Sequence, residues 1–138
     1  MQKVFAAVDE SSRKHRGGTR VVSNQATPEY FFRERCYISE WLNEPSSEAL
    51  SIARARVAPG VTTRRHRLDG ITERYVILSG RGLVRVGEQP PAIVEAGDVV
   101  IIAAGEPQQI TNRGDEDLIF LALCTPRFRI EAYVDLDD

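Results

Sequence analysis

The sequence predicts an all-β fold, an antiparallel jelly-roll β-barrel, and three observations predict it. Short stretches rich in Val, Ile, Leu and Tyr recur at close intervals from Leu50 to Val134. Glycine, proline and acidic turns punctuate them, and no window sustains a helical period. Inside the stretches apolar and polar side chains alternate with a period of two, as half-buried strands require.

The chain has 138 residues, enough for one core and too few for two, so residues 1–138 are expected to form a single domain. Hydrophobic residues at 42% and charged residues at 28% describe an ordinary globular protein rather than a disordered one. A net charge of −2 provides no electrostatic case for nucleic acid or for a membrane surface. No apolar run approaches the roughly 20 residues of a spanning helix, and the start lacks a signal-peptide core. Cys36 and Cys124 sit in apolar strand-like contexts and are expected to be free buried thiols, which fits a cytoplasmic protein.

In chain order, residues 1–20 begin with VFAAVDE, compatible with a strand or a helix. The basic, glycine-bearing SSRKHRGGTR follows, read as a solvated loop or as an arm toward an acidic partner or neighbouring subunit. Val21 to Phe32 mixes strand formers with turn residues. RERCYISEWL reads as a strand with Arg35, Tyr37, Ser39 and Trp41 on one face and Cys36, Ile38, Glu40 and Leu42 on the other. Tyr37 with Trp41 would either stack a ligand ring or belong to the core. After the turn NEPSSE, the strand LSIARARV places Ser51, Ala53, Ala55 and Val57 on the face where room is needed. The remaining candidates are VTTRRH, ERYVILSG, GLVRVG, AIVEAG, DVVIIA, QQITN, LIFLALC and FRIEAYV.

Two spaced patterns lie in this run. Residues 60–80 contain Gly60, five residues, His66, one residue, Leu68, four residues, Glu73, six residues and Gly80. Residues 97–112 contain Gly97, five residues, Ala103, one residue, Gly105, two residues, Gln108, three residues and Asn112. The glycines suit turns that need positive φ or close backbone approach. No phosphate-binding or dinucleotide-binding loop and no serine-histidine-acid arrangement appears.

The two patterns, separated by 16 residues, resemble the paired motifs of the cupin superfamily. The resemblance implies a barrel whose three histidines and one glutamate point inward and bind a divalent ion, commonly iron, manganese, nickel, copper or zinc. It also implies a homodimer, with TPRFRIEAYVDLDD closing the barrel or the dimer surface. At the four matching positions this chain has His66, Leu68, Glu73 and Gln108. Leucine cannot bind a metal, and an amide oxygen is a weaker ligand for iron, manganese, nickel or zinc than imidazole. An ion held by His66, Glu73 and Gln108 would therefore be loosely bound unless Cys36, Cys124, Tyr37 or His15 joined it.

Strand parity puts Tyr75 and Ile77 inside with Glu73, and Arg74, Val76 and Leu78 outside. His66 would share a face with Thr62, Arg64 and Leu68. Arg64 then either neutralises Glu73 or a ligand carboxylate at the pocket mouth, or lies on the surface. The expected substrate pocket is walled by Arg64, Leu68, Tyr75 and Ile110. Three functions remain open: a metal-dependent enzyme of dioxygenase or isomerase type, a metal-free isomerase or lyase using His66 and Glu73 as acid and base, and a non-enzymatic small-ligand-binding or sensing barrel.

Overall fold

The structure is a computed structural model that describes residues 19–24 and 28–137. Residues 1–18, including the basic run at 13–16, lie outside the described residues, as does the expectation of an N-terminal arm. The described strands are β1 (Tyr30–Phe32), β2 (Cys36–Leu42), β3 (Ser51–Val57), β4 (His66–Leu68), β5 (Thr72–Ser79) and β6 (Arg81–Val86). β7 (Ala92–Glu95), β8 (Val99–Ile102), β9 (Gln108–Asn112), β10 (Leu118–Thr125) and β11 (Tyr133–Asp135) complete them. They form two antiparallel sheets, ordered β1-β2-β3-β10-β5-β8 and β11-β4-β9-β6-β7. The all-β jelly-roll expectation is met, and both cysteines are free and buried.

Alternation decides which side chains meet between the sheets. On β5, Glu73, Tyr75 and Ile77 point inward, and on β10 so do Leu118, Phe120 and Cys124. Phe120 stands opposite Ala55 on one side and Ile77 on the other. Together with Val57, Ile102, Ile110 and Leu118 they fill one half of the barrel, each side chain larger than Ala55 contributing about 1.5–3 kcal/mol by burial. The other half is lined differently. There Ser51, Ala53, Ala122 and Cys124 oppose one another in the register, and four small side chains cannot fill the space between the sheets. That shortage of volume opens a cavity beside Glu73.

Turns hold the strands in this arrangement. Gly80, at φ +90°, joins β5 to β6 where a Cβ would lie 2.7 Å from the Asp117 carbonyl oxygen and 2.8 Å from Leu118 Cα. Only glycine permits that approach.

The RERC segment differs from its expectation as continuous strand. Residues 33–35 form a tight loop between Phe32 and Cys36, closed by the Arg35 N–H donating to the Phe32 carbonyl at 2.9 Å. Arg35 adopts φ +71°, a left-handed conformation that disfavours side chains with a Cβ. Arg35→Gly is therefore expected to stabilise the protein by about 0.5–1 kcal/mol, read as a raised urea midpoint.

Two further segments depart from the expected strands. In VTTRRH only Thr62 makes a ladder contact, to Thr111, before β4 begins at His66. Thr63 turns inward instead, its N–H donating to the Ile110 carbonyl at 2.9 Å and its hydroxyl accepting from the Ile110 N–H at 3.0 Å. FRIEAYV breaks into a 3-10 turn at Ile130–Ala132 and the short strand β11.

Candidate functional site

His66 opens β4, pairs with Gln108 of β9 and is buried. Its Nδ1 lies 2.9 Å from the Arg64 carbonyl oxygen, which can only accept, so Nδ1 carries a proton and donates it there. Nε2 faces the Glu34 carboxyl, 3.2 Å from Oε2. An unprotonated Nε2 and an ionised carboxylate are both acceptors, so this contact requires one shared proton. The pair is either imidazolium with carboxylate or imidazole with carboxylic acid. Tyr133 stacks on the imidazole at 4.8 Å and 18°, which fixes the ring plane.

Glu34 comes from the β1–β2 loop, which folds over the end of the barrel. Its carbonyl accepts the Arg64 N–H at 3.0 Å, and its Oε1 accepts the Cys36 thiol at 3.3 Å. Glu34 thus sits in the turn that the left-handed Arg35 closes, with its carboxyl facing His66.

Glu73 of β5 is 8% exposed, its Oε1 has no hydrogen-bond partner, and its Oε2 has only the Cys124 thiol at 3.8 Å. Burial pushes its pKa up to about 7, and the neighbouring Glu34 charge adds to that. The His66 ring opposes it, as do the polar groups of Gln108 and Cys124 close by. Burial likewise raises the Cys36 and Cys124 thiols, so neither is primed as a nucleophile.

The structure brings His66, Leu68 and Glu73 to one cavity of about 60 Å³, walled also by Glu34, Cys124 and Tyr133. Gln108 and Tyr75 stand behind it, the Tyr75 hydroxyl donating to Gln108 Oε1. Ile110 is packed in the core with Val84 and Phe120 and does not reach the cavity. Arg64 does not reach it either. Its guanidinium donates to Asp135 Oδ2 at 2.8 Å and to the Asp137 carbonyl at 2.7 Å, so the C-terminal segment holds it outside. Thr63, not Thr62 or Arg64, takes the inward place before His66. On the outer face of β2, the Tyr37 ring lies 4.1 Å from the Arg56 guanidinium rather than beside a ligand cavity.

The sequence reading missed Glu34 and Tyr133. Glu34 lies within the charged triplet RER, which looks like a solvated turn, although stepping back by two from Cys36 does put it on the inward face. Tyr133 lies in a terminal segment whose docking no local pattern announces.

The model of the family described as Cupin domain matches residues 53–124, more than half of the chain. The chain belongs to the cupin family. An oxalate-binding protein of Thermotoga maritima is 37% identical over 78 residues, 56% of this chain and 63% of that relative's length. The chain therefore matches less than two thirds of that curated relative. A crystal structure described as a predicted oxalate decarboxylase of Thermotoga maritima superposes with a TM-score of 0.68 at 26% identity, covering 77% of this chain and 98% of the other. A nucleoside dehydratase shares the fold, with a TM-score of 0.71 at 9% identity, covering 86% and 91% of the two chains.

The donor set of this cupin does not fit the ion of the paired motifs. Leu68 presents carbon, Gln108 Oε1 is taken by Tyr75, and His66 Nε2 is turned to Glu34. Among the described residues, no three His, Cys, Asp or Glu side chains converge as a metal site.

Proposed function

We propose that this cupin binds a small molecule in the cavity beside His66 and Glu73 without a motif metal, and that Glu34, His66 and Glu73 are its proton-handling groups. The observation that carries the reading is the His66 ring, tied at Nδ1 to a carbonyl and at Nε2 to Glu34. A ring held at both nitrogens is a proton carrier with a set tautomer rather than an open metal ligand. Metal analysis tests it. After incubation with manganese, iron, nickel and zinc salts, the natural chain is expected to hold a substoichiometric amount of metal. A Leu68→His, Gln108→His variant, which rebuilds the histidines of the motif, is expected to gain binding. One firmly held equivalent in the natural chain, lost on replacing His66 and Glu73 by alanine, would overturn the reading.

A second reading is a metal-free isomerase or lyase, and Glu73 favours it. A carboxyl held near neutrality gives or takes a proton at a bound molecule, while the His66–Glu34 pair holds a second one. Proton exchange from a bound ligand in deuterated buffer, abolished by Glu73→Gln, distinguishes turnover from binding alone.

The reading includes a homodimer through the outer face of the larger sheet. Leu78, Val99 and Ile101 are 44, 56 and 71% exposed there, which supports burial against a second copy. Sedimentation is expected to report a dimer, and Ile101→Glu is expected to shift it to monomer.

A further inference from the structure

We infer that the cavity takes a small primary ammonium compound in preference to a carboxylate, an assignment of ligand class that rests on the metal-free reading above. The charge of the walls comes first. Among the described residues lining the cavity, Glu34, Glu40 and Glu73 are acidic, and none is lysine or arginine. A dianion such as oxalate would meet these carboxyls with no cation in the cavity wall to offset them except a protonated His66, already engaged by Glu34, the Arg33 guanidinium lying outside against the Tyr133 and Phe32 rings.

Unpartnered polar atoms point the same way. Glu73 Oε1 and the Tyr133 hydroxyl are both buried without a partner, and both residues line the cavity. Native interiors leave few such atoms unpaired, so each marks a place for a ligand group. A primary ammonium has three N–H donors and no acceptor, which matches a carboxylate oxygen and a phenol oxygen that both accept. A carboxylate ligand brings only acceptors and leaves Glu73 without a donor once it is ionised.

The apolar walls complete the match. The rings of Tyr30, Phe32, Phe128 and Tyr133 line the cavity, and aromatic faces attract cations. Two of these rings already do so. The guanidinium of the exposed Arg33, which does not line the cavity, lies 4.5 Å from the centre of the Tyr133 ring and 5.7 Å from that of Phe32. A volume of about 60 Å³, at roughly 10–15 Å³ per water-sized probe, leaves room for a chain of about four or five heavy atoms.

Titration calorimetry on the full chain, treated with EDTA and held at about pH 8, tests the inference with four probes: n-butylammonium, n-butanol, butyrate and oxalate. Butylammonium is expected to bind at least about tenfold more tightly than butanol, with no heat from butyrate or oxalate. Glu73→Gln is expected to lose about tenfold for butylammonium while keeping its butanol affinity and its circular dichroism spectrum. Tyr133→Phe, which keeps the ring, is expected to lose about threefold. Butanol binding as tightly as butylammonium, or a Glu73→Gln variant unchanged toward butylammonium, overturns the ammonium class and leaves the metal-free cavity standing. Oxalate binding that appears only when one equivalent of manganese is added overturns both.

Discussion

Glu73→Gln is expected to stabilise the protein by about 3 kcal/mol near pH 8 and to leave it almost unchanged near pH 4. Glu73 is buried with an unpartnered oxygen, and its pKa moves from an ordinary 4.5 to about 7 on folding. Between those values the folded state binds the proton and the unfolded state has released it. Stability therefore falls as pH rises through this window, and it levels off once Glu73 is ionised in both states. The gap corresponds to about 3 kcal/mol, lost progressively across the window. Glutamine keeps the shape of the carboxyl and never ionises, so the variant should show a flatter profile. For a chain of this length the difference amounts to roughly 10 °C in melting temperature near pH 8. Thermal denaturation from about pH 4 to about pH 9 checks it. Parallel profiles for the two proteins, or a natural chain that gains stability through this window, would sink the assignment of Glu73 as a carboxyl ionised against its surroundings.

Asn112→Ala is expected to cost about 3–4 kcal/mol, the largest loss we predict from a single polar side chain. Asn112 is 1% exposed and makes three hydrogen bonds. Its Nδ2 donates to the Val57 carbonyl at 2.8 Å and to the Glu116 carbonyl at 2.7 Å, and its Oδ1 accepts the Gly114 N–H at 2.8 Å. It thereby ties the end of β9 to the end of β3 and braces the loop that leads to β10. Alanine strands all three backbone groups, of which the Val57 carbonyl is buried and the other two are part-buried. Asn112→Asp should do no better, because a carboxylate facing two carbonyls is repelled by both. Urea denaturation at neutral pH is the measurement, with a lowered midpoint and an unchanged slope expected for a native-like variant.

Asn112 and Gly80 also mark how far local pattern reaches. Both were placed by motif spacing alone, and both turn out to brace the start of β10, Gly80 by leaving space and Asn112 by filling its hydrogen bonds. The inward set Glu73, Tyr75 and Ile77 followed from alternation, because a strand has only two faces and the apolar members identify the buried one. The run Ser51, Ala53 and Ala55 signalled room inside the barrel. It did not say where the room would be, since that depends on Ala122 and Cys124 standing opposite in the neighbouring strand.

Arg64 shows where parity fails. Counting back from His66 assumes a continuous strand, whereas the chain at 64–65 turns to bond the Glu34 carbonyl and Asp137. One lost step of alternation exchanged Thr63 for Arg64 on the inward face.

From the sequence by itself came the barrel, its inward faces, the four motif positions and the two departures, Leu68 and Gln108, that weaken them as a metal-ligand set. Those features are carried by spacing within single stretches, where strand geometry repeats every two residues. The partner of His66 was decided only in three dimensions. Glu34 reaches it because a left-handed Arg35 folds the β1–β2 loop across the barrel end and the Arg64 N–H holds its backbone there. No periodicity links residues so far apart in the chain. Their meeting depends on how separately formed strands dock, which packing volume and paired hydrogen bonds settle together.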